Sequence, residues 1–170
     1  MMVSDAVHGR FSCRSYMDRP VEKEVLDIIF EAARLAPSAK NMQDWRFVVV
    51  TGKEIKRKVI ESTNKPDIFN KAPVVIVACS VSDYVMGCGQ PAGPIDVAIA
   101  MEHIALQATE LGLATCWIGS FEPRKVRDVL GIPDNVPIVE LMTLGYPAEK
   151  GGQPQKKLLK EIFCYEKWQF

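Results

Sequence analysis

The sequence predicts a domain of three layers, α/β or α+β, and three observations carry that expectation. Short runs rich in β-branched residues recur along the chain: RFVVVT, VVIVAC after Pro73, ATCWIG and residues 138–144. Between them stand segments with apolar residues at helical spacing. The alternation fills 170 residues with no repeat, linker or second domain, so one core of strands covered by helices is expected.

Each element has its own signal. Residues 4–9 read as the end of a short helix, and residues 10–16 as extended or irregular chain. Pro20 with Glu22 and Glu24 marks a helix start. The body EVLDIIFEAARLA places Val25, Ile28, Ile29, Ala32, Ala33 and Leu35 on a buried stripe, and Pro37 ends it. PSAKNMQDW is a loop by composition, and RFVVVT a strand. Residues 53–63 form an amphipathic helix with Ile55, Val59 and Ile60 inward, and residues 73–80 a buried strand. Residues 84–94, with three glycines and two prolines, read as a loop. Residues 95–113 form the most apolar helix, with Gly112 suited to its C-terminal cap. ATCWIG is the third strand, residues 123–130 a short helix closed by Gly131, and residues 138–144 the fourth strand. After Tyr146 the chain is polar to Gln155. It then ends in KEIFCYEKWQF, too apolar to hang free and suited to packing on a partner subunit.

Composition narrows the function. Lys and Arg number 21, and so do Asp and Glu, so the overall charge offers no footprint for nucleic acid or an anionic membrane. Five cysteines, Cys13, Cys79, Cys88, Cys116 and Cys164, form no CxxC pair; a reduced, cytoplasmic chain explains them better than a disulfide framework. His8 and His103 complete no zinc set, so no metal site is expected. The N-terminus lacks an apolar signal core, and Asp96, Glu102, His103, Gln107 and Glu110 interrupt the apolar helix too often for a membrane span.

Three segments carry chemistry. In the extended chain Arg10-Phe11-Ser12-Cys13-Arg14, alternate side chains share a face, which groups Arg10, Ser12 and Arg14 as a phosphate-sized donor set. Taken by itself, the segment is better explained as a solvated basic turn. Pro37, Ser38, Ala39 and Asn41 form a loop of small residues through which backbone can approach a flat ligand, with Asn41 able to donate and accept; an ordinary helix-to-strand connection fits it too. Ile118 and Gly119 end a strand where a missing Cβ bares backbone N–H groups, or simply makes a turn. Gly87-Cys88-Gly89-Gln90-Pro91-Ala92 fits GxGxxA but does not leave a strand directly, as a dinucleotide-binding turn must. No P-loop and no GxSxG are present.

In order, GRFSCRSYMDRPV, EAARLAPSAKNMQDWRFVVV, APVVIVAC, DVAIAMEHIALQATELGLATCWIGSF and LGYPAEK resemble the nitroreductase family of flavoproteins, from Asp5 to Trp168. The resemblance implies an α+β fold of three α/β/α layers around a mainly antiparallel sheet, one domain over residues 1–170, and a homodimer with FMN at its interface. Residues 147–170 would be a C-terminal extension on the partner subunit. Carried over residue by residue, Arg10, Phe11, Ser12 and Arg14 would hold the FMN phosphate and ribityl end. Pro37, Ser38, Ala39 and Asn41 would contact the cofactor, with residues 37–39 supplied by the other subunit. Asn70 would lie near the ring or ribityl chain, Ile118 and Gly119 beside the ring, and Lys156 with Lys157 at the phosphate. Phe11 stands where the family often has a second Arg, and Lys156 where it usually has Arg.

The resemblance implies an NAD(P)H-dependent oxidoreductase working by a ping-pong scheme, with a small electron-poor acceptor such as a nitroaromatic or quinone. The cofactor carries the chemistry, and no side chain is assigned a catalytic role. Dehalogenation, ene reduction or flavin cleavage on the same fold, or FMN binding without catalysis, are the competing readings.

Overall fold

The computed structural model describes residues 2–69 and 71–170. In chain order the elements are α1 (Val3–Gly9), α2 (Lys23–Arg34), β1 (Trp45–Val50), α3 (Lys53–Glu61), α4 (Pro66–Phe69), β2 (Val74–Ser80), α5 (Ala92–Glu110), β3 (Ala114–Ile118), α6 (Pro123–Leu130) and β4 (Ile138–Gly145). The strands form one sheet in the order β1-β2-β4-β3, with every neighbouring pair antiparallel.

β2 lies in the interior of this sheet, and all its residues are buried. Its side chains alternate between two cores, as period-two geometry requires. Val74, Ile76 and Ala78 pack with α2 and α5, whereas Val75, Val77 and Cys79 pack toward α3 and α6. The result is the expected α+β domain of three layers. No helix among the described residues is long and apolar enough to cross a membrane.

Several boundaries and faces differ from the sequence expectation. α2 buries Leu26, Ile29 and Ala33, but Ile28 and Leu35 are 49% and 63% exposed. At 100° per residue Ile28 lies on the flank opposite Leu26, and Leu35 is already the cap residue. In α3, Val59 and Ile60 make the core contact while Ile55 is exposed. Residues 92–94, expected in a loop, form the first turn of α5. Pro94 is tolerated there because N–H groups of the first turn have no helical acceptor. The short α4 had no sequence expectation; it opens on Pro66.

Gly93 shows why that turn starts where it does. A Cβ on Gly93 would stand 2.2 Å from Ser80 Oγ and 3.0 Å from Ser80 Cβ, so the end of β2 is packed directly on the helix backbone. Gly93→Ala should cost about 1–3 kcal/mol, the usual toll of overpacking a filled core. Urea unfolding of the two proteins checks this, and an unchanged midpoint would contradict the close packing.

α5 carries apolar residues on more than one stripe of its surface. Most of that surface is satisfied internally: Val97, Met101, Ile104, Ala105 and Ala108 are fully buried, and Ile99 and Leu111 pack at the core's edge. The surplus lies elsewhere. Ile28, Ala32 and Leu35 line a groove of about 670 Å³ with His103 and Gln107. Leu158, Leu159, Ile162, Phe163, Tyr165, Trp168 and Phe170 of the C-terminal segment are exposed.

The C-terminal segment first runs along its own chain. Ala148 N–H donates to Ser15 O at 2.9 Å, and Met17 N–H to Tyr146 O at 2.9 Å. A Cβ on Gly151 would fall inside the Phe11 ring, so this backbone lies flat on Phe11.

Candidate functional site

The segment 10–14 leaves α1 extended and docks beside β3. Cys13 N–H donates to Thr115 O at 2.9 Å, and Ser12 forms a parallel bridge with Thr115. Cys13 is buried with Tyr16, Ala72 and Ala114, and Phe11 packs against that cluster. Ser12 and Arg14 are exposed, and the Arg10 side chain keeps 21% of its surface open. Cys13 faces in and Ser12 and Arg14 face out, as the period of extended chain requires, while Arg10 and Phe11 are both half-buried. The latch below is Tyr16, whose hydroxyl pairs with Thr143 Oγ1 at 2.8 Å and whose ionisation burial pushes far up.

Both guanidiniums are near enough to Cys116 of β3 to act on it through their charge. Burial raises the Cys116 thiol, while Arg14 and Arg10 each pull it back. Arg10 Nε also lies 3.8 Å from Glu102 Oε1 on α5. Glu102 is raised by its own burial against the pull of Arg10. A carboxylate thus steadies Arg10 without saturating its donors.

The loop 37–43 is a strained turn held from beneath. Lys40, Asn41 and Gln43 have φ of 51°, 56° and 55°, a region that costs non-glycine residues of order 1–3 kcal/mol each. Gln43 N–H donates to Ser38 Oγ at 2.9 Å, and Ala39 N–H points between Asp96 Oδ1 and Oδ2 at 3.1 and 3.2 Å. Asp96 is 5% exposed on α5. Pro37 and Asn41 are exposed and Ser38 and Ala39 half-buried, so the outer surface of the loop is open. The Lys40 ammonium lies 4.2 Å from the centre of the Tyr84 ring.

Asp96 escaped the sequence reading, where it looked like one of several polar breaks in an apolar helix. Asp96→Ala should destabilise the fold by about 1.5–3 kcal/mol, the worth of a hydrogen bond to a charged acceptor, and should expose residues 38–43 to limited proteolysis. Thermal melts and the cleavage site check it; cleavage first elsewhere would mean that another contact holds the loop.

Ile118 is buried toward α3 and α6, and Gly119 is exposed at the end of β3. The turn after Gly119 is anchored by Asn64, whose N–H donates to Ser120 O at 3.1 Å and whose side-chain amide donates to Ser120 Oγ at 2.5 Å. Asn70 lies outside the described residues. Lys156 and Lys157 are exposed and make no hydrogen bond or ion pair among the described residues. Three residues before Lys156, the Gln153 amide donates to Val7 O, His8 O and Arg10 O at 2.6, 3.1 and 3.2 Å. That tie holds residue 153 against the end of α1, and nothing in the sequence marked Gln153 for it.

Within one chain the two constellations hang from different parts of α5. Asp96 holds the loop and Glu102 faces Arg10, six residues or roughly 9 Å apart along the helix. The Gly87–Ala92 stretch is a closed turn: Met86 N–H donates to Gln90 O at 2.9 Å, and Gly89 N–H to Met86 O at 2.8 Å. It does not leave a strand.

Known proteins share this sequence pattern and fold. The model of the Nitroreductase family matches residues 7–66 and 58–146. A Thermus thermophilus protein named NADH dehydrogenase is 32% identical over 188 aligned residues, covering 92% of each chain. A crystal structure of a nitroreductase family protein from Clostridium difficile 630 superposes with a TM-score of 0.88 at 34% identity, over 99% of both chains. A structure titled FMN-dependent Nitroreductase, from Clostridium difficile R20291, superposes with a TM-score of 0.76 at 30% identity, over 98% of both. Sequence and fold agree along nearly the whole length, and the chain belongs to the nitroreductase family.

Proposed function

We propose that this oxidoreductase of the nitroreductase family works as a homodimer. It holds FMN and passes electrons from NAD(P)H to a small electron-poor acceptor, a nitroaromatic or a quinone, in a ping-pong scheme. The observation that supports the reading is the donor set Arg10, Ser12 and Arg14 on one extended segment, with Ser12 and Arg14 exposed and Arg10 half-buried. Two planar guanidiniums and a hydroxyl match the oxygens of a monophosphate. Lys156 and Lys157 add point charges from the segment that Gln153 docks. Phe11 keeps its ring in the cluster beneath, which leaves its backbone for the ligand.

The other roles follow from placement. Gly119 leaves the end of β3 open, so a flat ring can approach its N–H and that of Ser120. The exposed surface of residues 37–41 suits the partner's cofactor better than its own, because Asp96 and Glu102 hold the two constellations apart on α5. Bound flavin supplies the hydride-accepting and electron-donating chemistry, and protein groups bind and orient it. The name of the Clostridium difficile R20291 protein supports the cofactor, and that of the Thermus protein the donor.

Heat release of cofactor from purified protein, followed by chromatography against standards, tests the assignment. FMN is expected, with NADPH or NADH consumption that depends on added nitroaromatic or quinone. Mainly FAD, or no flavin after reconstitution, would overturn the cofactor reading. Flavin without donor consumption would favour a binding module.

A further inference from the structure

Glu140 is a carboxyl with no partner. It lies on β4, an interior strand, opposite Ala78 of β2, and is half-buried. Among the described residues nothing donates a hydrogen bond to it and no cation pairs with it. The register of β4 on β2 shifts between Ala78 and Cys79, a bulge located at this residue. Bulges bend a strand and re-aim a side chain. Here the carboxyl is aimed at the end of β3. A Cβ on Gly119 would stand 3.1 Å from Glu140 Oε1, so the acid lies beside the open position at Gly119.

Partial burial of a carboxyl without a donor disfavours its charged form and pushes its pKa upward. The titratable groups on the surrounding elements are Arg46 on β1, Cys79 on β2, Cys116 on β3 and Asp96, Glu102, His103 and Glu110 on α5. None of them acts on Glu140, and burial alone pushes its carboxyl upward. The carboxyl is not sealed from solvent, so a ligand at the end of β3 can reach it.

We propose that Glu140 is a ligand-binding acid of the candidate flavin site: in its protonated form it donates a hydrogen bond to an acceptor atom at the ring edge, beside Gly119, and it takes up a proton from solvent when the ligand covers it. The proposal rests on the FMN reading above. No bond to carbon forms or breaks; the carboxylate gains one proton and the ligand accepts its O–H.

The sign follows from linkage. A ligand that prefers the acid form raises the carboxyl's pKa on binding. Affinity is then flat below the free protein's value, falls tenfold per pH unit between the free and bound values, and levels above them. Calorimetric titration of FMN into apoprotein, in two buffers of different ionisation heat between pH 5.5 and 8, counts the protons taken up. Glu140→Gln keeps the shape and removes the titration, and the phosphate of FMN titrates alike in both proteins, so the difference isolates Glu140. Wild type should take up as much as one proton per site more than the variant. Its affinity should fall with pH over a window where the variant's stays flat.

The apoprotein gives a second readout. A carboxyl raised in the folded state leaves stability intact below its unfolded value, and stability is lost as pH rises through the folded value. Glu140→Gln should therefore melt higher than wild type by a margin that grows with pH and then levels. Equal proton counts in the two proteins, or a melting difference indifferent to pH, would overturn the assignment of Glu140 while leaving the FMN reading in place. No FMN binding by the wild type would overturn both.

Discussion

Replacing Arg10 and Arg14 together by alanine should weaken FMN binding on the order of 10²–10⁴-fold, because each charge-assisted phosphate contact is worth about 1.5–3 kcal/mol. The single variant Arg10→Ala should lose roughly ten- to a hundredfold, and Lys53→Ala, altered at the start of the surface helix α3, should lose nothing measurable. The pair need not add strictly, since both guanidiniums act on the same stretch of β3 and would share one phosphate. Arg10 also steadies Glu102, so its removal leaves a half-buried carboxyl unpaired, and a melting curve belongs beside each titration. Flavin fluorescence on apoprotein reads the affinity. Dissociation constants for Arg10→Ala and Lys53→Ala that agree would remove Arg10 from the site, whatever their absolute values.

How much of this was legible in the sequence depended on whether local chemistry or distant neighbours decided the outcome. The expected bounds of α6, Pro123–Leu130, match the structure because both ends are set locally: proline at the first helical position, and Gly131 with φ of 66° just past the end. The strands were legible because runs such as VVIVAC have no amphipathic helical alternative. The outward face of Ser12 and Arg14 followed from the two-residue period of extended chain. By contrast, the exposure of Ile28 and Leu35 depends on where α5 crosses α2, which no local pattern encodes. Asp96, Gln153 and Glu140 were missed for one reason. Each is a single polar residue in an unremarkable context, and its role appears only when a segment far away in the chain is placed against it.

Truncation after Lys157 should convert the dimer to monomers and strip the flavin with it. The cut spares Gln153, Lys156 and Lys157, so loss of cofactor could not be blamed on missing phosphate contacts. It removes Leu158, Leu159, Ile162, Phe163, Tyr165, Trp168 and Phe170, all exposed on the single chain. Trp168 and Phe170 pack on each other edge to face at 4.9 Å and otherwise stand open. Such a display exceeds what soluble monomers usually leave uncovered, and a two-fold partner covers the same surface on both copies. The groove lined by Ile28, Ala32, Leu35 and His103 is an apolar surface of the kind such a segment needs. Burying a large apolar side chain is worth about 1.5–3 kcal/mol, so losing even two of them should weaken the dimer on the order of 10²–10⁴-fold. FMN should follow the dimer, since residues 37–39 are read as serving the partner's site and ligand binding stabilises whichever assembly builds that site. Light scattering on serial dilution, with flavin release followed in the same samples, measures both together. A full-length chain that is monomeric and keeps its FMN at full occupancy would defeat the shared-site reading, and a truncated chain that stays dimeric would move the interface off the C-terminal segment.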